Sequence, residues 1–246
     1  MMDLFSVKDK AVIITGASRG IGRALAEGFA NAGAIVYGTG SRPESMAWAE
    51  GTSITGVAAD MRDPSAMKDL INEVKNKHGR LDCLVNNAAA TVDIPASAIK
   101  EEDMENLVNT NFKGVFRACQ AYHKLQRKQG GNIINIASVV GLQGGFLMSV
   151  YSGTKGAIIQ MSKSLALEWA SSGFRVNVVC PGFTETDMTE KIRKNEEYSN
   201  KLLQAIPMKR MARPQELLGP VIFLASEASS YITGSTLVVD GGVTRH

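Results

Sequence analysis

The feature that most limits what this chain can become is an alternation of short apolar, β-branched runs with longer stretches of helical character. Ala11–Thr15, Ile35–Thr39, Ser53–Ala58, Cys83–Asn86, Asn132–Ala137, Arg175–Cys180 and Thr236–Val239 read as strands, and helices are expected to start near Ile21, Pro64, Glu101, Val150 and Pro214. Strands that alternate with helices form βαβ units around a parallel sheet. Val12-Ile13-Ile14 and Ile133-Ile134 are apolar at consecutive positions, as in strands covered by helices on both faces. The expected fold is therefore α/β: a Rossmann-type doubly wound parallel sheet, one strand for each of the seven runs, with helices on both faces.

The 246 residues are 44% hydrophobic and 21% charged, the balance of one globular domain. No linker, repeat or composition shift marks a second domain, so residues 1–246 are read as one unit. Its one irregular stretch, polar and Met-rich, covers about 182–213 and is expected to be a binding loop or lid carrying short helices of its own. A net charge of +3 is too small and too dispersed to predict nucleic-acid binding. No apolar run approaches the roughly 18 residues of a membrane span. Asp3, Lys8, Asp9 and Lys10 interrupt what a signal peptide would need, so a cytoplasmic location is expected. Cys83, Cys119 and Cys180 lack metal spacing and read as buried thiols of a reducing compartment; His78, His123 and His246 are scattered, and no metal site is expected.

Thr15-Gly16-Ala17-Ser18-Arg19-Gly20-Ile21-Gly22 follows the first strand and opens the first helix. Glycines let a backbone turn sharply and approach a pyrophosphate, which lies against the free N–H groups of a helix N-terminus. The spacing is wider than G-x-G-x-x-G, and an ordinary Gly-rich turn is the alternative. An acid at the end of the second strand would favour NAD through the ribose hydroxyls. The run here is Tyr37-Gly38-Thr39-Gly40-Ser41-Arg42, without one. Arg42 and Arg19 could meet a 2′-phosphate, since arginine pairs two oxygens at once, or Arg42 could be a solvated loop residue. NADP(H) is expected to be preferred, with NAD(H) possible. Asp60, closing the third strand, could accept from the adenine amino group or stand in a helix-cap region before Pro64.

Tyr151 and Lys155 are spaced i, i+4, which puts them on one helix face. A free tyrosine titrates near 10, too high for acid–base work at neutral pH; a neighbouring ammonium and a cationic nicotinamide are expected to lower it. Ser138 ends the apolar strand Asn132–Ala137 at the edge where open α/β sheets bind ligands, and Asn111 stands in a helix ahead of that strand.

Thr15–Gly22, Asn86-Asn87-Ala88-Ala89, Asn111, Ser138, Tyr151-Ser152-Gly153-Thr154-Lys155 and Pro181–Met188, in this order and spacing, resemble the short-chain dehydrogenase/reductase family over essentially the whole length. The resemblance implies an oxidoreductase in which Tyr151 is the general acid/base, Lys155 lowers its pKa and bonds the nicotinamide ribose, Ser138 polarises the substrate oxygen, and Asn111 holds a water in a proton relay to Lys155. It implies a cofactor site of Gly16, Ser18, Arg19, Gly20, Ile21, Gly22, Ser41, Arg42, Asp60, Met61, Asn87, Ala88, Ala89, Tyr151, Lys155, Pro181, Gly182, Phe183, Thr184 and Thr186. Ala89 departs from the glycine usual at its place. The resemblance also implies a homotetramer, paired through Asn111–Lys128, Tyr151–Ala170 and the last strand.

The pattern is nearest to bacterial 3-oxoacyl-ACP reductases of fatty acid biosynthesis, which implies a carbonyl substrate that is small or carrier-bound. The arginines such enzymes use to dock the acidic carrier correspond here to Gln129 and Ser172, although Arg127 and Lys128 lie close. Residues 206–217 also resemble sugar-acid and polyol dehydrogenases, which stand as the alternative, and a non-catalytic dinucleotide sensor is the reading from a different class. Walls of the substrate site are expected in Ala90–Ile94, Val139–Met148 and Phe183–Met211. Leu142, Phe146, Leu147, Met148, Met188 and Ile192 are candidates for an apolar mouth or, equally, for core and oligomer contacts.

Overall fold

The structure, a computed structural model, describes residues 4–245, so Asp3 and His246 lie outside the described residues. Its strands are β1 (Ala11–Ile14), β2 (Ile35–Gly40), β3 (Ile54–Ala58), β4 (Cys83–Asn86), β5 (Gly131–Ile136), β6 (Phe174–Pro181) and β7 (Thr236–Val239). They form one seven-stranded sheet in the order β3-β2-β1-β4-β5-β6-β7, parallel throughout. Every strand expected from the apolar runs is present, with ends shifted by a residue or so.

The consecutive apolar residues serve two cores. Ile13, Leu84, Ile133 and Val178 point to one face, where α2 (Ala66–His78), α4 (Val115–Gln126) and α6 (Ser149–Trp169), which follows the short α5 (Val140–Gln143), contribute Ile71, Val74, Tyr122, Ile158 and Leu165. Val12, Ile14, Val85 and Ile134 point to the other, against Leu25 and Phe29 of α1 (Gly20–Asn31) and Val221 and Leu224 of α9 (Leu218–Ala225). Fully burying each such side chain stabilises by about 1.5–3 kcal/mol. A strand with both faces covered has no polar side to display, which explains the unbroken hydrophobicity of β1.

The winding reverses between β1 and β4. The chain runs outward through β2 and β3, then returns to place β4 on the other side of β1. The loops leaving β1 and β4 therefore diverge at their C-terminal ends and leave a crevice, the usual ligand position in open α/β sheets.

Two helical features differ from expectation. α3 (Glu101–Val108) and α4 are joined by a π turn, Asn109–Gly114, so Asn111 lies at a widened point of a nearly continuous helix. Such insertions re-aim side chains and are frequent at functional sites. Pro214 opens a 3₁₀ turn, Pro214–Leu217, and α9 starts only at Leu218. The cause is Glu216, whose carboxylate accepts from the Arg213 backbone N–H (2.8 Å) and from the Arg210 guanidinium (2.6 Å), tightening that turn. Segment 182–213 carries α7 (Glu190–Lys194) and α8 (Glu196–Ala205), and a parallel bridge between Thr184 and Ala212 closes its base. Among the described residues no helix is long and apolar enough to cross a membrane, and no His, Cys, Asp and Glu group is arranged to hold a metal ion.

Candidate active site

The crevice opens into a cavity of about 430 Å³. Its floor at the reversal point is two turns tied together. The buried Thr15 hydroxyl accepts from the backbone N–H groups of Asn87 and Ala88, each at 3.0 Å, while the Asn87 side-chain amide donates to the carbonyls of Thr15 (2.9 Å) and Gly16 (3.1 Å). This closeness needs glycine. Gly16 has φ +67°, and a Cβ there would stand 2.7 Å from the Ala88 Cα; one on Gly22 would stand 2.2 Å from the Gly16 carbonyl oxygen. The N-terminus of α1 carries no side-chain cap and no acid in its first turn, which leaves its orphan N–H groups and positive dipole end turned toward an anion. A pyrophosphate fits that chemistry.

At the far end of the same wall, Gly40, Ser41, Asp60, Met61 and Arg62 line the cavity. Asp60 borders the cavity with its carboxylate already paired to a neighbouring arginine. Its carboxylate accepts from the Arg62 guanidinium at 2.6 and 3.0 Å and from the Arg62 backbone N–H at 2.9 Å. The side-chain bond from Arg62 is the main cause that holds its pKa below the usual carboxylate value, against the opposing effect of burial. Helix α2 starts beyond it, after Ser65, whose hydroxyl donates to Asp63 and does not cap the helix. Arg62 is a lining residue the sequence reading did not name. Arg42 does not line the cavity, although its neighbour Ser41 does; it is the exposed residue that precedes the 3₁₀ turn Pro43–Ala49. Arg19 does line it and reaches Asp187 at 3.4 Å.

The reacting end is built on α6. Its buried residues Tyr151, Lys155, Ile158, Ser162, Leu165 and Trp169 recur at steps of three and four, a single helix face. Tyr151 and Lys155 are thus the head of the stripe that packs on the sheet, and they reach the cavity because the sheet ends beneath them. The Lys155 ammonium donates to the Ile136 carbonyl at the end of β5 (2.8 Å) and stands 5.7 Å from the Tyr151 ring centroid. Ser138, two residues beyond β5, lines the same space. Burial pushes Lys155 down to about 8. It also pushes the Tyr151 phenol up to about 12, reinforced by the Asp93 carboxylate and opposed by a hydrogen bond with Ser138. This upward push is what the protein alone exerts; the expected lowering invokes the bound cationic nicotinamide as well as Lys155.

Asn111 lies behind these groups rather than on the cavity surface. Its side-chain oxygen accepts from the Ala90 N–H (2.8 Å), and its amide donates to the Ala90 carbonyl (2.9 Å) and the Thr154 hydroxyl (3.2 Å). Thr154 in turn donates to the Tyr151 carbonyl (2.8 Å). The π turn therefore clamps the loop after β4 to the head of α6. Every other named site residue borders the one cavity: Gly16, Ser18, Gly20, Ile21, Gly22, Asn87, Ala88, Ala89, Pro181, Gly182, Phe183, Thr184 and Thr186 along its length, Tyr151 and Lys155 at its end. Of the candidate mouth residues, Met148, Met188 and Ile192 border it as well. Leu142 and Phe146 are exposed at the surface, and Leu147 does not border the cavity.

Asp93, Asp187 and Thr154 fall within stretches singled out in the sequence, Ala90–Ile94, Pro181–Met188 and Tyr151–Lys155, but none had a role assigned to it, because their partners come from segments that only the fold brings together.

A family model described as Enoyl-(Acyl carrier protein) reductase matches residues 16–244. The chain is 39% identical to the 3-oxoacyl-[acyl-carrier-protein] reductase FabG of Escherichia coli (strain K12), covering 95% of this chain and 97% of that one. It is 37% identical to the 2-dehydro-3-deoxy-D-gluconate 5-dehydrogenase of Bacillus subtilis (strain 168), covering 98% and 96%. A crystal structure of a gluconate 5-dehydrogenase from Burkholderia cenocepacia J2315, in complex with NADP and tartrate, superposes with a TM-score of 0.93 at 33% identity, covering 99% of this chain and 98% of that one.

Proposed function

The chain belongs to the short-chain dehydrogenase/reductase family, oxidoreductases acting on CH–OH groups, and on that premise we propose that it reduces a 3-oxoacyl thioester with NADPH. The observation that carries the reading is the convergence of Tyr151, Ser138 and Lys155 on the cavity that also holds the uncapped, glycine-lined N-terminus of α1. When bound, the nicotinamide supplies the hydride. Gly16, Ser18, Gly20 and the N-terminus of α1 would hold the pyrophosphate, and Pro181–Thr186 with Lys155 the nicotinamide riboside. The absence of an acid after β2, with Ser41, Arg42 and Arg19 nearby, supports NADP over NAD.

The Tyr151 hydroxyl donates its proton to the substrate oxygen as charge develops there, and Ser138 donates a second hydrogen bond. A phenol held near 12 is protonated at neutral pH, the form that reduction requires. Lys155 holds a positive charge one turn below and hands on a proton to restore Tyr151. Since the Asn111 side chain is occupied by Ala90 and Thr154, its main-chain carbonyl is the group left to hold a relay water. Segment 182–213 serves as the substrate lid, with Met188 and Ile192 as its apolar underside.

A second reading, oxidation of a sugar acid or polyol, is favoured by the Bacillus subtilis relative and by the NADP-bound gluconate 5-dehydrogenase. NADPH consumption with an acetoacetyl thioester tests the first reading. Turnover of a keto sugar acid without turnover of the thioester selects the second.

The proposal extends to assembly: a cytoplasmic homotetramer, supported by Leu167 on α6 (84% exposed) and Phe116 on α4 (38% exposed), apolar side chains on the two helices expected to pair. A monomeric mass by light scattering contradicts it.

A further inference from the structure

The charged side chains bordering the cavity are Arg19, Asp60, Arg62, Asp93, Lys155 and Asp187. Most are matched. Arg62 pairs with Asp60, and Arg19 with Asp187. The Lys155 ammonium lies against the Ile136 carbonyl. Asp93 is different: it accepts from the Thr91 hydroxyl at 3.2 Å, and among the described residues no lysine or arginine forms an ion pair with it. The basic side chains of α7 do not compensate, since Ile192 is the residue of that helix that borders the cavity.

The position of Asp93 is also fixed. Asn111 holds Ala90 by both its N–H and its carbonyl. Val92 packs on the cluster formed by Tyr151, Leu107 and Val140. The residue that follows is therefore anchored on both its preceding backbone and the side chain beside it. Asp93 itself is exposed, so an uncompensated carboxylate stands at the rim of the cavity, at the end where Tyr151 meets it. Its field already reaches Tyr151, where it opposes the phenolate.

We propose that Asp93 makes the reacting end of the cavity selective for substrates with no negative charge beside the carbonyl, accepting an ester or thioester and rejecting the free keto acid of the same skeleton. The inference rests on the reading of Tyr151 as the hydroxyl that meets the substrate oxygen. A substrate carboxylate placed there meets a like charge; because Asp93 is exposed the repulsion is screened by solvent, and it opposes binding by about two- to fourfold. An uncharged thioester carries no net charge for that field to repel, so the quantity that reports the selectivity is the ratio between the two substrates and not the rate with either one.

Acetoacetate and ethyl acetoacetate share the reacting ketone and differ in charge. The test compares kcat/KM for both, with NADPH, in the native protein, Asp93→Asn and Asp93→Glu. It also compares the dissociation constants of both compounds for the protein–NADP+ complex, so the charge effect is read independently of turnover. The expected result is preference for the ester in the native protein and in Asp93→Glu, and a rise of about two- to fourfold in the relative standing of acetoacetate in Asp93→Asn, largest at low ionic strength. An unchanged ester-to-acid ratio in Asp93→Asn, in catalysis or in binding, overturns the proposal. A parallel loss for both compounds does so too, because it marks a merely structural role. Charge-dependent binding without turnover of either compound supports the charge selectivity and counts against the oxidoreductase reading instead.

Discussion

Lys155 is placed where it harms the stability of the fold, and the size of that harm is testable. The side chain is 3% exposed, with its ammonium on the Ile136 carbonyl. Burial lowers its pKa from 10.5 to about 8. At pH 7 the lysine is protonated in both the folded and the unfolded chain, so the full penalty on the charged form is present, about 3 kcal/mol. Replacement by Met keeps the stem and removes the charge. It also leaves the Ile136 carbonyl without its donor, a loss of about 1 kcal/mol. Lys155→Met is therefore expected to be more stable at pH 7 by about 2 kcal/mol, a rise in Tm of about 5 °C for a chain of this length. The sign of the pH dependence follows. Between about 8 and 10.5 the native lysine has released its proton while the unfolded one has not, so native stability recovers as pH rises through that window and the gap to the variant narrows. Thermal melts without cofactor, from pH 6.5 to 10.5, measure both effects. A Met variant that melts at or below the native protein at pH 7 refutes the reasoning. The same variant is expected to lose at least about a hundredfold in turnover, a trade of activity for stability that only a functional lysine would show.

Two further outcomes are expected. Gly22→Ala drives a methyl to 2.2 Å from the Gly16 carbonyl and 2.4 Å from the Asn87 amide; overpacking there destabilises by about 1–3 kcal/mol, and cofactor titration by fluorescence should show NADPH affinity weakened along with the lower Tm. Arg42→Ala should raise KM for NADPH about tenfold, the loss of one charge-assisted bond to phosphate, while KM for NADH stays put; equal effects on both cofactors would remove Arg42 from 2′-phosphate recognition.

The sheet was legible because its central strands carry consecutive apolar residues, Val12-Ile13-Ile14 and Ile133-Ile134, as burial on both faces requires. The head of α6 was legible for a similar reason: the i, i+4 spacing of Tyr151 and Lys155 survives any shift in helix ends. What could not be read was set by contacts distant in sequence. The π turn at Asn111 has no local signature, and Asn111 shows its clamping role only once Ala90 and Thr154 are beside it. The pairing of Asp60 with the arginine two residues later likewise carries no signal in the sequence. The opposing push of burial on Tyr151, which takes the phenol to about 12 in the protein alone, was not legible either, because a sequence does not display burial. The apolar residues of 142–148 could not be sorted by hydrophobicity alone: Met148 faces the cavity, while Phe146 is 80% exposed.

The central claim is that Tyr151 delivers a proton to a carbonyl reduced by NADPH. The most direct measurement is the rate of NADPH oxidation with an acetoacetyl thioester by the native protein and by Tyr151→Phe, with cofactor binding titrated for both. The account predicts one hydroxy product per NADPH consumed, a fall of at least about a hundredfold in kcat for the Phe variant, the size expected for loss of a general acid, and NADPH affinity largely retained. Turnover by Tyr151→Phe at the native rate would contradict it.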